Sequence, residues 1–286
     1  MEQFRYYLFF LLLVLSGFSA VAQSPWARSK GGGYAQVSWN FIPTYTNLFG
    51  ENGIDIVLSR EVSERSVQFY GEYGLGKKTT LMVSLPYVWN ERGEVNPESK
   101  LVNIGPGGEI SGVGNSTIGL KHQFLSGRLA MAGNLRVQLP ADATYLMTSD
   151  LRTGYNALSI IPTISAGMGF GITYWYAYGG YGYRSNNYTD FVTFGGEAGV
   201  NVGKFWVSAF TESILPLGNG SVESAKEPYF TGLFIDNQGW VSYGLKASWV
   251  IRPSFGINFS GAGAGWAQNV PKSPGVSVGV WYRWGQ

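Results

Sequence analysis

Apolar and polar side chains alternate along most of this chain, most strictly between residues 113 and 140. In the first arm Ile118, Leu120, His122 and Phe124 share one parity; Thr117, Lys121 and Gln123 share the other with Gly119. In the second arm Met131, Leu135, Val137 and Leu139 oppose Asn134, Arg136 and Gln138. Successive side chains of a strand point to opposite faces. A period of two on both sides of a Ser126-Gly127-Arg128 turn therefore predicts a β-hairpin with one wet and one greasy face.

The same pattern predicts ten further strands, over 34–42, 66–75, 79–90, 157–168, 172–184, 191–202, 205–214, 240–250, 254–262 and 276–284. In 79–90 the greasy parity is Leu81, Val83, Leu85, Tyr87 and Trp89. In 276–284 it is Val276, Val278, Val280, Tyr282 and Trp284, against Ser277, Trp281 and Arg283. The run of Tyr and Gly in 172–184 leaves its facing open. Short turns, such as Gly76-Lys77-Lys78, Gly203-Lys204 and Arg252-Pro253, alternate with longer loops over 43–63, 91–112, 141–156, 185–190, 215–239 and 263–275.

Alternating short and long connections are the mark of an up-and-down outer-membrane barrel. Strands of this length match a tilted crossing of the hydrocarbon layer. A closed barrel is also the only sheet that leaves no backbone edge unpaired in lipid. A soluble sandwich or lipocalin-like barrel would alternate too. Its polar parity would face bulk water and carry charge, whereas few charges lie on these strands. The expected fold is all-β: a transmembrane, up-and-down antiparallel β-barrel of about 12 strands, with short periplasmic turns and long extracellular loops.

Composition sharpens this. Only 13% of the 286 residues are charged, 16% are aromatic, and there is no cysteine for a disulfide or thiol site. A net charge of +2 gives no argument for nucleic acid. Arg5, the short apolar run over 6–15 and Ala20-Val21-Ala22 before Gln23 predict a cleaved signal peptide over 1–22. The run is too short to span a membrane. Residues 23–286 are then the barrel domain, exported to the bacterial outer membrane. Residues 23–33 are a polar lead-in, too short for a plug domain. The short turns carry Lys77, Lys78, Arg128, Lys204 and Arg252 and no acid, while most carboxylates fall in the long loops.

Candidate site residues follow from the parity. Gln68, Glu72, Lys121, Arg136, Glu197, Lys246, Asn258 and Arg283 take the inner side, and Glu212 and Arg184 are further candidates. Two readings stand. They line an aqueous path and tune its selectivity, or they pair into salt bridges that fill a narrow barrel. Tyr87 and Trp89 at one rim, and Phe124, Trp249, Tyr282 and Trp284 at the other, are candidate interface aromatics. His122, the only histidine, lies on the outward parity with no acid on a shared face. It is read as an interfacial ring rather than a catalytic base, so no enzyme activity, metal or cofactor is expected.

The hairpin from Phe69-Tyr70-Gly71-Glu72-Tyr73-Gly74-Leu75 to Leu85-Pro86-Tyr87 resembles one in outer-membrane proteins named for the meta-pathway of phenol degradation. Gly112-Val113-Gly114-Asn115 leading to Gly119-Leu120-Lys121-His122 is similar to that family's Gly-x-Gly-Asp…Gly-x-Lys-Tyr strand, with Asn115 and His122 departing from it. Gly31-Gly32-Gly33-Tyr34 also fits. The likeness is clearest over residues 31–140. It implies an outer-membrane channel or transporter. The expected function is passage of a small molecule, hydrophobic ones included. The alternative is a closed barrel that acts as a structural or surface-binding protein through its extracellular loops. Expected partners are outer-membrane lipid, the barrel assembly machinery and a small-molecule solute.

Overall fold

A computed structural model describes residues 23–101, 104–141, 150–223 and 229–285. The signal-peptide reading falls on residues outside these. The described chain folds into fourteen strands and one 3-10 turn, Glu51–Gly53, with no α-helix among them. The strands are β1 (Gly33–Phe49), β2 (Ile56–Gly74), β3 (Thr79–Val95), β4 (Gly108–Val113), β5 (Thr117–Leu125), β6 (Leu129–Gln138) and β7 (Ser159–Phe170). Then come β8 (Thr173–Arg184), β9 (Phe191–Val202), β10 (Phe205–Pro216), β11 (Gly239–Arg252), β12 (Phe255–Gln268), β13 (Val270–Pro271) and β14 (Gly275–Trp284).

These make twelve staves. β4 and β5 pair with successive parts of β3 and form one stave, interrupted at residues 114–116. β13 is a two-residue ladder on the end of β1. Every stave is antiparallel to its neighbours, and β1 pairs both β2 and β14, which closes the barrel. The seam runs in unbroken register from Gly33 opposite Trp284 to Phe41 opposite Val276.

The apolar parity lies outside. Val37, Leu85, Ile118, Leu135, Phe194, Leu245 and Val278 are exposed side chains on seven different staves. In water such a band would be an aggregation hazard; around a closed barrel it is a lipid-facing belt. Ile118 is 49% exposed and sits opposite Val83 and Val137. Ile118→Arg is expected to cost about 2–4 kcal/mol, read by urea unfolding of the barrel in vesicles. A loss below about 0.5 kcal/mol would place that face outside the hydrocarbon.

Several strands overrun their predicted ends. β1 continues to Phe49, β2 starts at Ile56, β3 reaches Val95 and β12 reaches Gln268. Much of the predicted loops over 43–63, 91–112 and 263–275 is therefore strand. The cause is a loss of the simple contrast. Above Ile42 apolar residues join polar ones inside: Tyr45, Leu48, Leu58 and Val62 are buried alongside Ser59, Ser63 and Arg92. Register shifts between Ile42 and Tyr45 and between Tyr45 and Asn47 also break the parity of β1. A period-two search tuned to polar-in, apolar-out cannot follow either change.

Candidate functional site

The interior of the barrel gathers the charged and aromatic side chains. Glu72 and Lys121 form its most buried pair, at 3% and 0% exposure. Lys121 Nζ lies 3.2 Å from Glu72 Oε1 and 3.2 Å from the carbonyl of Trp26. Glu72 also accepts from the Tyr70 hydroxyl at 2.7 Å and from Arg28 Nε at 2.5 Å. A buried ion pair is tolerable only when its remaining polar atoms are bonded too. Here β2 and β5 supply the pair across β3, and the residues before β1 complete it.

Those leading residues enter the lumen. At Gly31 the backbone has φ +78°, a left-handed conformation suited to glycine. Its N–H donates to the Gly74 carbonyl at 2.8 Å. A Cβ on Gly74 would sit 1.9 Å from the Ser29 carbonyl, so only glycine lets the segment pass. Inside, Ala27 N–H donates to Gln123 Oε1 at 3.0 Å and Arg28 N–H to Thr80 Oγ1 at 2.8 Å. The Trp26 ring meets Tyr174 and Tyr176 edge-on, each at 6.3 Å. These few residues of the lead-in line the lumen. The clue in the sequence is Trp26, a large ring in an otherwise small and polar stretch.

At the end carrying the short turns lies a chamber of about 580 Å³. Its wall holds six rings from the staves, Tyr34, Tyr70, Tyr174, Tyr176, Trp206 and Trp281, with Trp26 across them. Glu197, Lys246, Asn258 and Arg283 face it as well. Glu197 accepts from Lys246 Nζ at 2.6 Å, from the Tyr174 hydroxyl, and from the Tyr176 hydroxyl at 3.4 Å. Asn258 Nδ2 donates to Gln36 Oε1 at 2.7 Å. Arg283 Nε donates to the Pro253 carbonyl at 2.5 Å, and its guanidinium stands 5.5 Å from the Trp281 ring.

A second cavity of about 270 Å³ lies nearer the loops. Gln68, whose Nε2 donates to Ser84 Oγ at 2.6 Å, lines both cavities. Arg136, Arg184, Glu64 and Glu212 line the second. No ion pair joins Arg136 to Glu212 among the described residues. Arg136 Nε and Glu212 Oε2 are buried without a hydrogen-bond partner there.

The loop end is capped. Leu151 and Leu233 pack with Ile42, Tyr45, Leu48, Leu58 and Val62 into an apolar core above the second cavity. Asp150 takes Arg152 Nη2 at 3.0 Å and the Thr231 N–H at 3.4 Å. Burial pushes the Asp150 carboxyl above its usual range, although Arg152 and Thr231 oppose that. Tyr155 donates to Gln238 Oε1 at 2.6 Å, and Gln238 Nε2 donates to the Gly232 carbonyl at 2.8 Å. The segments around 150–158 and 229–238 are thus one packed lid rather than loose loops.

The aromatic candidates stand on the outer surface. Trp89 is tilted against Tyr87 at 4.7 Å and Trp39 at 5.8 Å. At the short-turn end Trp249 stacks on Phe205 at 6.1 Å and Trp284 on Tyr282 at 6.0 Å. Phe124 is half exposed beside the turn to β6. His122 also points outward, with Nδ1 3.0 Å from Thr79 Oγ1. Among the described residues no cluster of His, Cys, Asp and Glu could hold a metal ion.

No protein-family model matches this chain. No curated protein matches it in sequence either. Solved structures do match in fold. An outer membrane channel from Pseudomonas putida F1 superposes with a TM-score of 0.62 at 12% identity, over 90% of this chain and 97% of that one. The KdgM porin matches with a TM-score of 0.48 at 5% identity, over 87% and 99%. A TodX monoaromatic hydrocarbon channel variant matches with a TM-score of 0.48 at 10% identity, over 93% and 94%. At 12% identity the likeness to the Pseudomonas putida channel is one of fold: a closed, twelve-stranded antiparallel barrel of the outer-membrane type.

Proposed function

We propose that this chain is a non-enzymatic outer-membrane channel or transporter for a small molecule, hydrophobic ones included. The observation that carries the reading is the chamber of about 580 Å³ inside the barrel. Ligand sites are typically concave, mostly apolar and set with a few placed polar groups; this chamber has seven rings and a handful of charges. The fold match to an outer membrane channel supports the same reading. The short turns then face the periplasm and the lid faces outward. Gln68, Glu72, Lys121, Arg136, Glu197, Lys246, Asn258 and Arg283 are the proposed lumen-lining set. Tyr87, Trp89, Phe124, Trp249, Tyr282 and Trp284 are the proposed interface rings, in contact with outer-membrane lipid. Export through a signal peptide over 1–22 and insertion by the barrel assembly machinery belong to this proposal.

A second reading, a closed barrel that acts through its outer surface, is favoured by the packed lid. Permeability separates the two. A chain lacking residues 24–30 loses the Trp26 and Arg28 contacts while keeping all twelve staves. Its conductance in planar bilayers is expected to rise several-fold over the intact chain. If neither form conducts or admits solute into liposomes, the channel reading falls and the surface-binding one stands.

A further inference from the structure

One wall of the short-turn chamber has an order of its own. The Arg28 guanidinium stands 5.1 Å from the centre of the Tyr34 ring. Tyr34 stacks on Trp281 at 6.2 Å and 22°. The Arg283 guanidinium stands 5.5 Å from the Trp281 ring. Each of the two stacked rings therefore has a guanidinium close by, and Arg283 also stands opposite Tyr34 across the seam. Each arginine spends Nε on the protein, Arg28 on Glu72 and Arg283 on the Pro253 carbonyl. Their terminal amino groups have no hydrogen-bond partner among the described residues.

Charge on the chamber wall is unbalanced. Among the described residues that line it, Arg28, Lys246 and Arg283 are cations and Glu197 is the one acid, with Glu72 bonding Arg28 from behind the wall. Both acids are already occupied. Glu72 accepts from Lys121, Arg28 and Tyr70, and Glu197 from Lys246, Tyr174 and Tyr176. Little negative surface is left to greet a solute, while two forks of N–H donors remain. In a low-dielectric cavity a net positive field raises the local concentration of anions. A guanidinium fork matches the two oxygens of a carboxylate. Flat rings favour a flat apolar body.

We propose that this wall selects small aromatic anions of the arylcarboxylate class. The ligand's ring lies along Tyr34 and Trp281, and its carboxylate takes the free amino groups of Arg28 or Arg283. The proposal rests on the reading of the chamber as a solute path and names the solute. A neutral aromatic would fill the same space without the charge-assisted, two-oxygen contact to the arginines. An aromatic ammonium would meet like charge.

The test uses the full barrel in detergent micelles and isothermal titration with benzoate, benzyl alcohol and benzyltrimethylammonium. Empty micelles supply the baseline. Benzoate is expected to bind about tenfold more tightly than benzyl alcohol, as one charge-assisted contact implies. Benzyltrimethylammonium is expected to bind more weakly than either. Arg283→Gln and Arg28→Gln, each checked for heat-modifiable gel mobility, should each cut the benzoate preference and leave benzyl alcohol binding within about twofold. Two variants are used so that a folding failure in one leaves the other to report. Equal binding of benzoate and benzyl alcohol, or a preference unmoved in the folded variants, overturns the proposal. Benzoate selectivity in a barrel that never passes solute keeps this site and removes the channel reading. Solute passage with no anion preference does the reverse.

Discussion

Glu72→Ala is expected to destabilise the barrel by about 3–5 kcal/mol, the cost of leaving a buried charge without its partner. Lys121 is fully buried, and Glu72 is the carboxylate that bonds it. Remove that carboxylate and the ammonium keeps only the Trp26 carbonyl at 3.2 Å. The Tyr70 hydroxyl and Arg28 lose an acceptor in the same step. Urea titration of the refolded barrel in vesicles reads the loss. The informative companion is Glu72→Leu combined with Lys121→Met. Replacing a whole buried pair by apolar residues of similar size is often neutral or stabilising. The double variant is therefore expected to recover most of the lost stability. It should still free Arg28, so trypsin should cut after Arg28 faster in both variants. A Glu72→Ala barrel within about 1 kcal/mol of the intact one would mean that water reaches Lys121 and that the interior is wetter than its burial implies.

Leu151→Ala should act on the lid and spare the barrel. Leu151 is fully buried among Leu48, Leu58 and Val62. Truncating such a leucine costs about 2–5 kcal/mol, depending on how far the site can collapse. Apart from Leu151 and Leu233, that core is made by the far ends of β1 and β2, beyond the Gly33–Phe41 seam between β1 and β14. The loss is then local, because packed segments can open without global unfolding. The expected result is an unchanged urea midpoint with faster proteolysis near residues 150–158 and more frequent opening in single-channel records. Ile54→Ala, at a site 72% exposed, is the control and should change neither. An equal fall in global stability would show that lid and barrel unfold as one unit.

The strands that could be read from the sequence are those where lipid and lumen impose opposite demands. β9 was legible to its ends, because Val192, Phe194 and Ala198 face out while Thr193 and Glu197 face in. β8 was not. Its inward residues include Tyr174, Tyr176 and Tyr178, and its outward ones Trp175, Tyr181 and Tyr183. With rings on both faces there is no contrast to detect. The inward rings lean on glycines of the next strand, where a Cβ would crowd them: Gly199 beneath Tyr174 at 2.5 Å and Gly195 beneath Tyr178 at 2.7 Å. The 41 glycines of the chain thus make room for bulky rings in part, which composition alone did not disclose. The inner charges were legible as a set through parity. Their partners were not, since Arg28 meets Glu72 across 44 residues and Glu197 meets Lys246 across 49. The lid escaped because apolar residues join the polar ones inside it, and the contrast found below is lost.

The seam has a further consequence. Gly33 lies opposite Trp284, and Ser29 Oγ donates to the Gly285 carbonyl at 2.5 Å. The first and last staves are paired without a break over nine positions. A ring of this kind has no privileged beginning. Joining its ends and opening the chain at Lys77-Lys78 would keep all twelve staves, and only the break between β2 and β3 would move. Circular permutation is therefore open to this architecture, whereas loss of any single stave is not: it would leave two unpaired edges in hydrocarbon.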